Sequence, residues 1–184
     1  MRRNIYYMII LVLVSVNHLS YSQKFSFVPD DFEVPEMYDT DSLKFRVLTN
    51  KYLELDYDAV ITSIDHLQGA FGPYSNWPPT NLTIQEDSTD LLWHENEFMN
   101  RTSFTYTVLS PDEAIAIGCV YIYPCEKKDY DAMVILWVRS SVLRYGKDEL
   151  LFETTKDWIG KEWPFNQVAY PGREIKWSDW KNIK

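Results

Sequence analysis

The chain of 184 residues has only two cysteines, Cys119 and Cys125. Two cysteines do not make a disulfide framework. Cys119 falls inside an expected strand and Cys125 just past its end. The extended chain between them keeps their Cα atoms well beyond bridging distance. Both are expected to be free, with Cys119 buried. Histidine is scarce too: beyond the N-terminal segment only His66 and His94 remain. That is too few for a zinc site of the usual ligand spacing, and no metal is expected. Basic residues are in deficit. Two of the 18 lie in the N-terminal leader and all 27 acidic residues follow it, so the mature net charge is near −11. A field of that sign repels phosphate backbones and excludes a nucleic-acid partner. Long apolar runs are absent after the leader, so no membrane span is expected in the mature chain.

What is present begins with that leader. Arg2 and Arg3 precede an unbroken apolar run from Ile5 to Val16, and Ser20-Tyr21-Ser22 follows. Charge, apolar core and small residues in that order are a secretory signal. Residues 1–22 are therefore expected to be a cleavable signal peptide, and the protein to be exported, periplasmic or secreted. Asn81-Leu82-Thr83 and Asn100-Arg101-Thr102 match the glycosylation pattern. About 160 residues remain, enough for one domain with a sizeable core. Seven Trp, thirteen Tyr and nine Phe give that core a heavy aromatic content.

Residues 23–42 are rich in Pro and Asp and read as an extended arm, with the domain over 43–184. Phe45 to Thr49 alternates as a strand. Tyr57, Val60, Ile61, Ile64, Leu67 and Phe71 form one helical stripe, stopped by Gly72-Pro73. The loop from Gly72 to Pro79 carries Tyr74 and Trp77. Thr83 and Glu86 form a capping box for a second helix. Ser103 to Leu109, Ala114 to Tyr123 and Tyr130 to Val138 read as strands. The first two are joined by a turn at Ser110-Pro111-Asp112-Glu113. The last two are apolar on both faces, so helices are expected on both sides of the sheet. Asp148 is expected to cap a third helix and Gly160 to end it. Gln167 to Tyr170 is a short last strand, and Trp177 and Trp180 in the tail are expected to fold back.

The order β-α-α-β-β-β-α-β resembles that of the GNAT (GCN5-related) N-acetyltransferases. Ile117-Gly118-Cys119-Val120-Tyr121-Ile122 is similar to the third strand of that fold. Leu136-Trp137-Val138 followed by Arg139-Ser140-Ser141 is similar to its fourth strand entering the acyl-CoA loop. The resemblance covers roughly residues 43–170 and lies more in topology than in any one motif. It implies an α+β fold with a central mixed, mostly antiparallel sheet and helices on both faces. It implies acyl transfer from acetyl-CoA, as co-substrate, to a small-molecule or peptide amine.

The family's pyrophosphate loop has the form Q/R-x-x-G-x-G/A, here Leu143-Arg144-Tyr145-Gly146-Lys147-Asp148. Amides at a helix N-terminus favour an anion there. Gly146 matches the first glycine. Leu143 stands in place of Gln or Arg, and Asp148 puts a carboxylate where a small residue is expected. The tail from Pro171 to Lys184 is too short for the helix and two strands that complete the family's domain. By resemblance, the donor-binding candidates are Val138, Arg139, Ser140, Arg144, Gly146 and Lys147. The acceptor-side candidates are Tyr74 and Trp77. An attacking amine must be neutral, and His94, Glu95 and Asp131 are the candidate bases. Export and the two departures in the loop support an alternative, an exported, non-catalytic binding or structural module on the same fold. Two outcomes for Asp148 separate these expectations. If it turns away and the last two strands splay, the donor slot is open. If it caps the helix and the tail fills the splay, the slot is closed.

Overall fold

The computed structural model describes residues 27–184, so the expected signal peptide lies outside the described residues. Six strands form one sheet in sequence order: β1 (Met37–Asp39), β2 (Lys44–Val47), β3 (Phe104–Leu109), β4 (Ala116–Pro124), β5 (Ala132–Val138) and β6 (Val168–Ala169). The first five pair antiparallel and β6 runs parallel to β5. The helices are α1 (Leu53–Ile61), α2 (Ile64–Leu67), α3 (Ile84–Asn100), α4 (Lys147–Glu162) and α5 (Trp177–Trp180). No helix among the described residues is long and apolar enough to cross a membrane.

Strand alternation divides the core between the two faces of the sheet. Ile117, Val120 and Ile122 of β4 join Val134, Leu136 and Val138 of β5 beneath Leu151, Trp158 and Ile159 of α4. Cys119 and Tyr121 join Trp137 on the other face, beneath Val60 of α1 and Leu91 of α3. Cys119 and Cys125 are both free and Cys119 is buried. The capping box forms as expected: Thr83 Oγ1 accepts from the Glu86 amide and Glu86 accepts from the Thr83 amide.

Four local expectations are corrected. The arm contains a strand, β1, because Thr40 closes a hairpin, its hydroxyl accepting from the Leu43 amide at 3.0 Å. Asp39 then pairs with Lys44 and Arg46 of β2. The first helical stripe is broken into α1 and α2 at Thr62-Ser63. There the Thr62 hydroxyl bonds back to the Asp58 carbonyl at 2.6 Å, a bond that competes with helix continuation. Gly160 lies inside α4, which ends instead at Glu162, with Trp163, the residue before Pro164, as its C-cap. A following proline forces its neighbour out of helical geometry, and Trp163 has φ −100° and ψ 152°. Asp148 does not cap α4. The N-cap is Gly146, in the left-handed region at φ 68°, where glycine carries no steric cost.

Candidate functional site

The parallel pair β5–β6 is short for a reason written in the sequence. Ala132 pairs with Val168 and Met133 with Ala169. The Ala132 amide donates to the Gln167 carbonyl, so the next β6 residue placed to donate back, after Ala169, is residue 171. That residue is Pro171, which has no N–H. The ladder ends and the chain turns away, with the Arg173 and Glu174 amides both donating to the Tyr170 carbonyl.

A cleft of about 290 Å³ opens where the strands part. Ile135 to Trp137 form one wall, His66 to Ala70 a second, and Pro171, Gly172, Arg173, Trp177 and Asp148 the rest. The Arg139 amide donates to Ile117 of β4, while that of Ala132 faces β6. Amides alternate in direction along a strand, so those of Leu136 and Val138 face the β6 side, where the cleft lies.

Asp148 sits at this cleft, in the first turn of α4, and forms a two-pronged pair with Arg173 (2.5 and 2.7 Å). The Arg173 guanidinium holds the Asp148 carboxyl below its ordinary range, against partial burial. The slot is thus neither of the two expected extremes. The strands splay and the side chain does not cap, yet the helix N-terminus already faces an internal carboxylate, itself neutralised by an arginine.

The other candidates divide into groups. Val138 ends β5, next to Trp137 of the cleft wall, and Gly146 and Lys147 are the N-cap and first residue of α4, just before Asp148 of the cleft; none of the three lines it. Arg144 is exposed and lies over the Tyr145 ring. Arg139 and Ser140 are drawn to the end of α1: Arg139 pairs with Asp58 at 2.8 Å and donates to Thr62, and the Ser140 amide donates to Ser63 Oγ at 2.9 Å. Asp131 lies at the start of β5, and its Oδ2 accepts from the amides of Asn166 and Gln167 at 2.7 and 2.9 Å, holding β6 in place. Glu95 faces the Asn50 amide at 3.5 Å. None of the three candidate bases lines the cleft, whereas His66, which was not among them, does.

His94 and Trp77 meet instead in a second cavity of about 210 Å³, between α3 and β4. His94 is 7% exposed; its Nδ1 lies 3.1 Å from Glu97 and 3.3 Å from the Thr105 hydroxyl. Tyr74 is 86% exposed and lines a separate groove with Trp177 and Trp180. The two cavities are one side chain apart: Trp137 lines the cleft and its indole N–H donates to Tyr121 at 3.2 Å, while Tyr121 lines the second cavity.

Nearby, Asp56 and Asp87 are buried between α1, α3 and β4. Cys119 Sγ donates to Asp56 at 3.2 Å. Burial raises the Asp56 carboxyl to about 6 despite that bond. Burial, then the Asp56 and Asp90 charges, raises Asp87 to about 7. Arg173 and His66 gave no signal in the sequence, since neither falls in a motif and Arg173 is 25 residues from its partner. No group of three or more His, Cys, Asp or Glu among the described residues is placed to hold a metal ion.

No protein-family model and no curated protein matches the sequence. Solved structures do match. One, described as a probable acetyltransferase, is 12% identical with a TM-score of 0.59, over 73% of this chain and 72% of that one. Another, the ribosomal L7/L12 alpha-N-protein acetyltransferase RimL in its apo form, is 14% identical with a TM-score of 0.51, over 72% and 71%. Similarity at this identity speaks for fold. The six-stranded sheet, its helices on both faces and the splay after β5 agree with it, and the chain carries a divergent form of the GNAT N-acetyltransferase fold.

Proposed function

We propose that the protein is a GNAT-type N-acyltransferase that moves an acetyl or other acyl group from acyl-CoA to an amine. The observation that carries this reading is the parting of β5 and β6 at Pro171, beside the N-terminus of α4. A narrow cleft flanked by in-plane amides suits the thin, amide-bearing pantetheine arm. Amides of Leu136 and Val138 would bond it. Gly146, Lys147, Arg144 and Arg173 would face the phosphates, where a helix N-terminus and cations favour an anion. Arg139 and Ser140 fit this task less well, because α1 already engages them.

The thioester supplies the acyl carbon. The neutral amine attacks it, the N–C bond forms as the C–S bond breaks, and the sulfur leaves as thiolate. The proton lost by the amine passes to His66, the imidazole in the cleft wall.

The test is release of free CoA thiol from acetyl-CoA, followed with a thiol reagent across a panel of primary amines and amino-terminal peptides. The reading expects amine-dependent release, and in His66→Ala a kcat lowered about 100-fold or more with the KM for acetyl-CoA little changed. Absence of amine-dependent release across the panel would overturn the assignment. Unchanged kcat in His66→Ala would remove that residue from the mechanism.

A further inference from the structure

The second cavity carries its own chemistry. Its wall is aromatic: Phe71, Trp77, Trp93, Tyr121 and Tyr123. Phe71 meets Trp77 and Tyr121 edge-on, with centroids 5.1 and 4.9 Å apart. Tyr121 stacks on Tyr123, and Trp93 on His94. Two carboxylates, Asp90 and Glu97, line the same space. Their only ion-pairing partner among the described residues is the single His94 imidazole, at 3.8 Å from Asp90 and 3.1 Å from Glu97. No lysine or arginine lines the cavity.

The two carboxylates are partly exposed, at 37% and 21%, and Glu97 also accepts from the Ser103 hydroxyl at 2.8 Å, but one imidazole cannot match two negative charges, and a ligand that supplies a cation is favoured there. Ring faces attract the same kind of ligand through their quadrupole, most strongly when the cation is poorly hydrated. A hard metal ion suits the wall badly, since it would require a shell of oxygens. An anion such as a nucleotide phosphate would be repelled. We propose that this cavity is a binding site for an organic ammonium group, methylated ammonium above all. Its volume of about 210 Å³ is that of a site for a small head group, not for a whole cofactor. Trp93 is 60% exposed and forms the open side through which such a group enters. The inference does not depend on acyl transfer and is measured with no acyl-CoA present. A quaternary ammonium cannot be acylated, so the cavity recognises rather than reacts.

The probe is choline, set beside 3,3-dimethylbutan-1-ol, its uncharged carbon counterpart of nearly the same shape. Binding to the purified protein is followed by calorimetry and by the fluorescence of the tryptophans in the wall. Choline is expected to bind about tenfold or more tighter than the alcohol. Trp93→Ala and Asp90→Asn are each expected to weaken choline about fivefold or more. Trp93 is exposed and Asp90→Asn is isosteric, so both should leave the circular dichroism spectrum unchanged. Equal binding of choline and the alcohol would mean a merely apolar pocket and would overturn the proposal. So would absence of choline binding by the wild type, or choline binding that neither substitution weakens.

Discussion

Asp148 and Arg173 set the character of the cleft between β5 and β6. A carboxylate in the first turn of α4 occupies the place where the helix dipole would welcome a phosphate. Arg173 offsets it and holds its carboxyl ionised. The sequence exposed Asp148 as a departure from the family's loop, because that position lies within a short local pattern. It could not expose Arg173, whose approach depends on the turn after β6. The buried acids were hidden for the same reason. Asp56 and Asp87 belong to different helices, and only the packing of α1 on α3 turns two ordinary carboxylates into neighbours. Asp87 is 3% exposed and its Oδ2 has no hydrogen-bond partner. Its folded pKa, about 7, lies above the ordinary 3.8. A raised carboxyl costs stability once ionised, so the penalty is absent below about pH 4 and complete above about pH 7. Asp87→Asn is therefore expected to stabilise the fold by about 1–2 kcal/mol at pH 8 and to have no effect near pH 4. Thermal midpoints of both proteins across that range check it. A gain independent of pH would contradict the assignment.

At the scale of elements, alternation and periodicity were legible and breaks were not. The three central strands and the capped start of α3 follow from patterns within a few residues. The division of α1 from α2 lies at Thr62-Ser63, where besides the Thr62 back-bond the Ser63 hydroxyl accepts from the Ser140 amide across the fold. The end of α4 was readable in Trp163-Pro164, a stronger stop than Gly160. Gly118 shows why β4 and β5 can lie so close. A Cβ at that position would fall 1.9 Å from the Trp137 carbonyl oxygen, backbone that cannot step aside. Gly118→Ala is expected to destabilise the protein by at least about 2 kcal/mol, and to damage the cleft, since Trp137 is part of its wall. Urea unfolding checks the first effect, and a loss below about 0.5 kcal/mol would show that the strands separate easily. Pro171 acts in the opposite sense: by withholding a donor it ends β6 and opens the space between strands.

Over the whole molecule, the sheet separates two cores; the aromatic cavity lies on the face covered by α1 and α3, and the cleft lies at the sheet's edge between α2 and the start of α4. Their electrostatics differ. The cleft holds the paired Asp148 and Arg173 with His66 beside a helix N-terminus, whereas the aromatic cavity gathers Asp90 and Glu97 with His94 alone. Trp77 and Trp137, with centroids 5.7 Å apart, stand between them. The most direct measurement of the central claim is calorimetric titration of the purified wild type with acetyl-CoA, beside Asp148→Asn. Micromolar binding by the wild type is expected, and tighter binding by Asp148→Asn, because neutralising that carboxyl frees Arg173 for the phosphates. Absence of binding by both proteins would contradict the account and leave the GNAT fold here without a donor site.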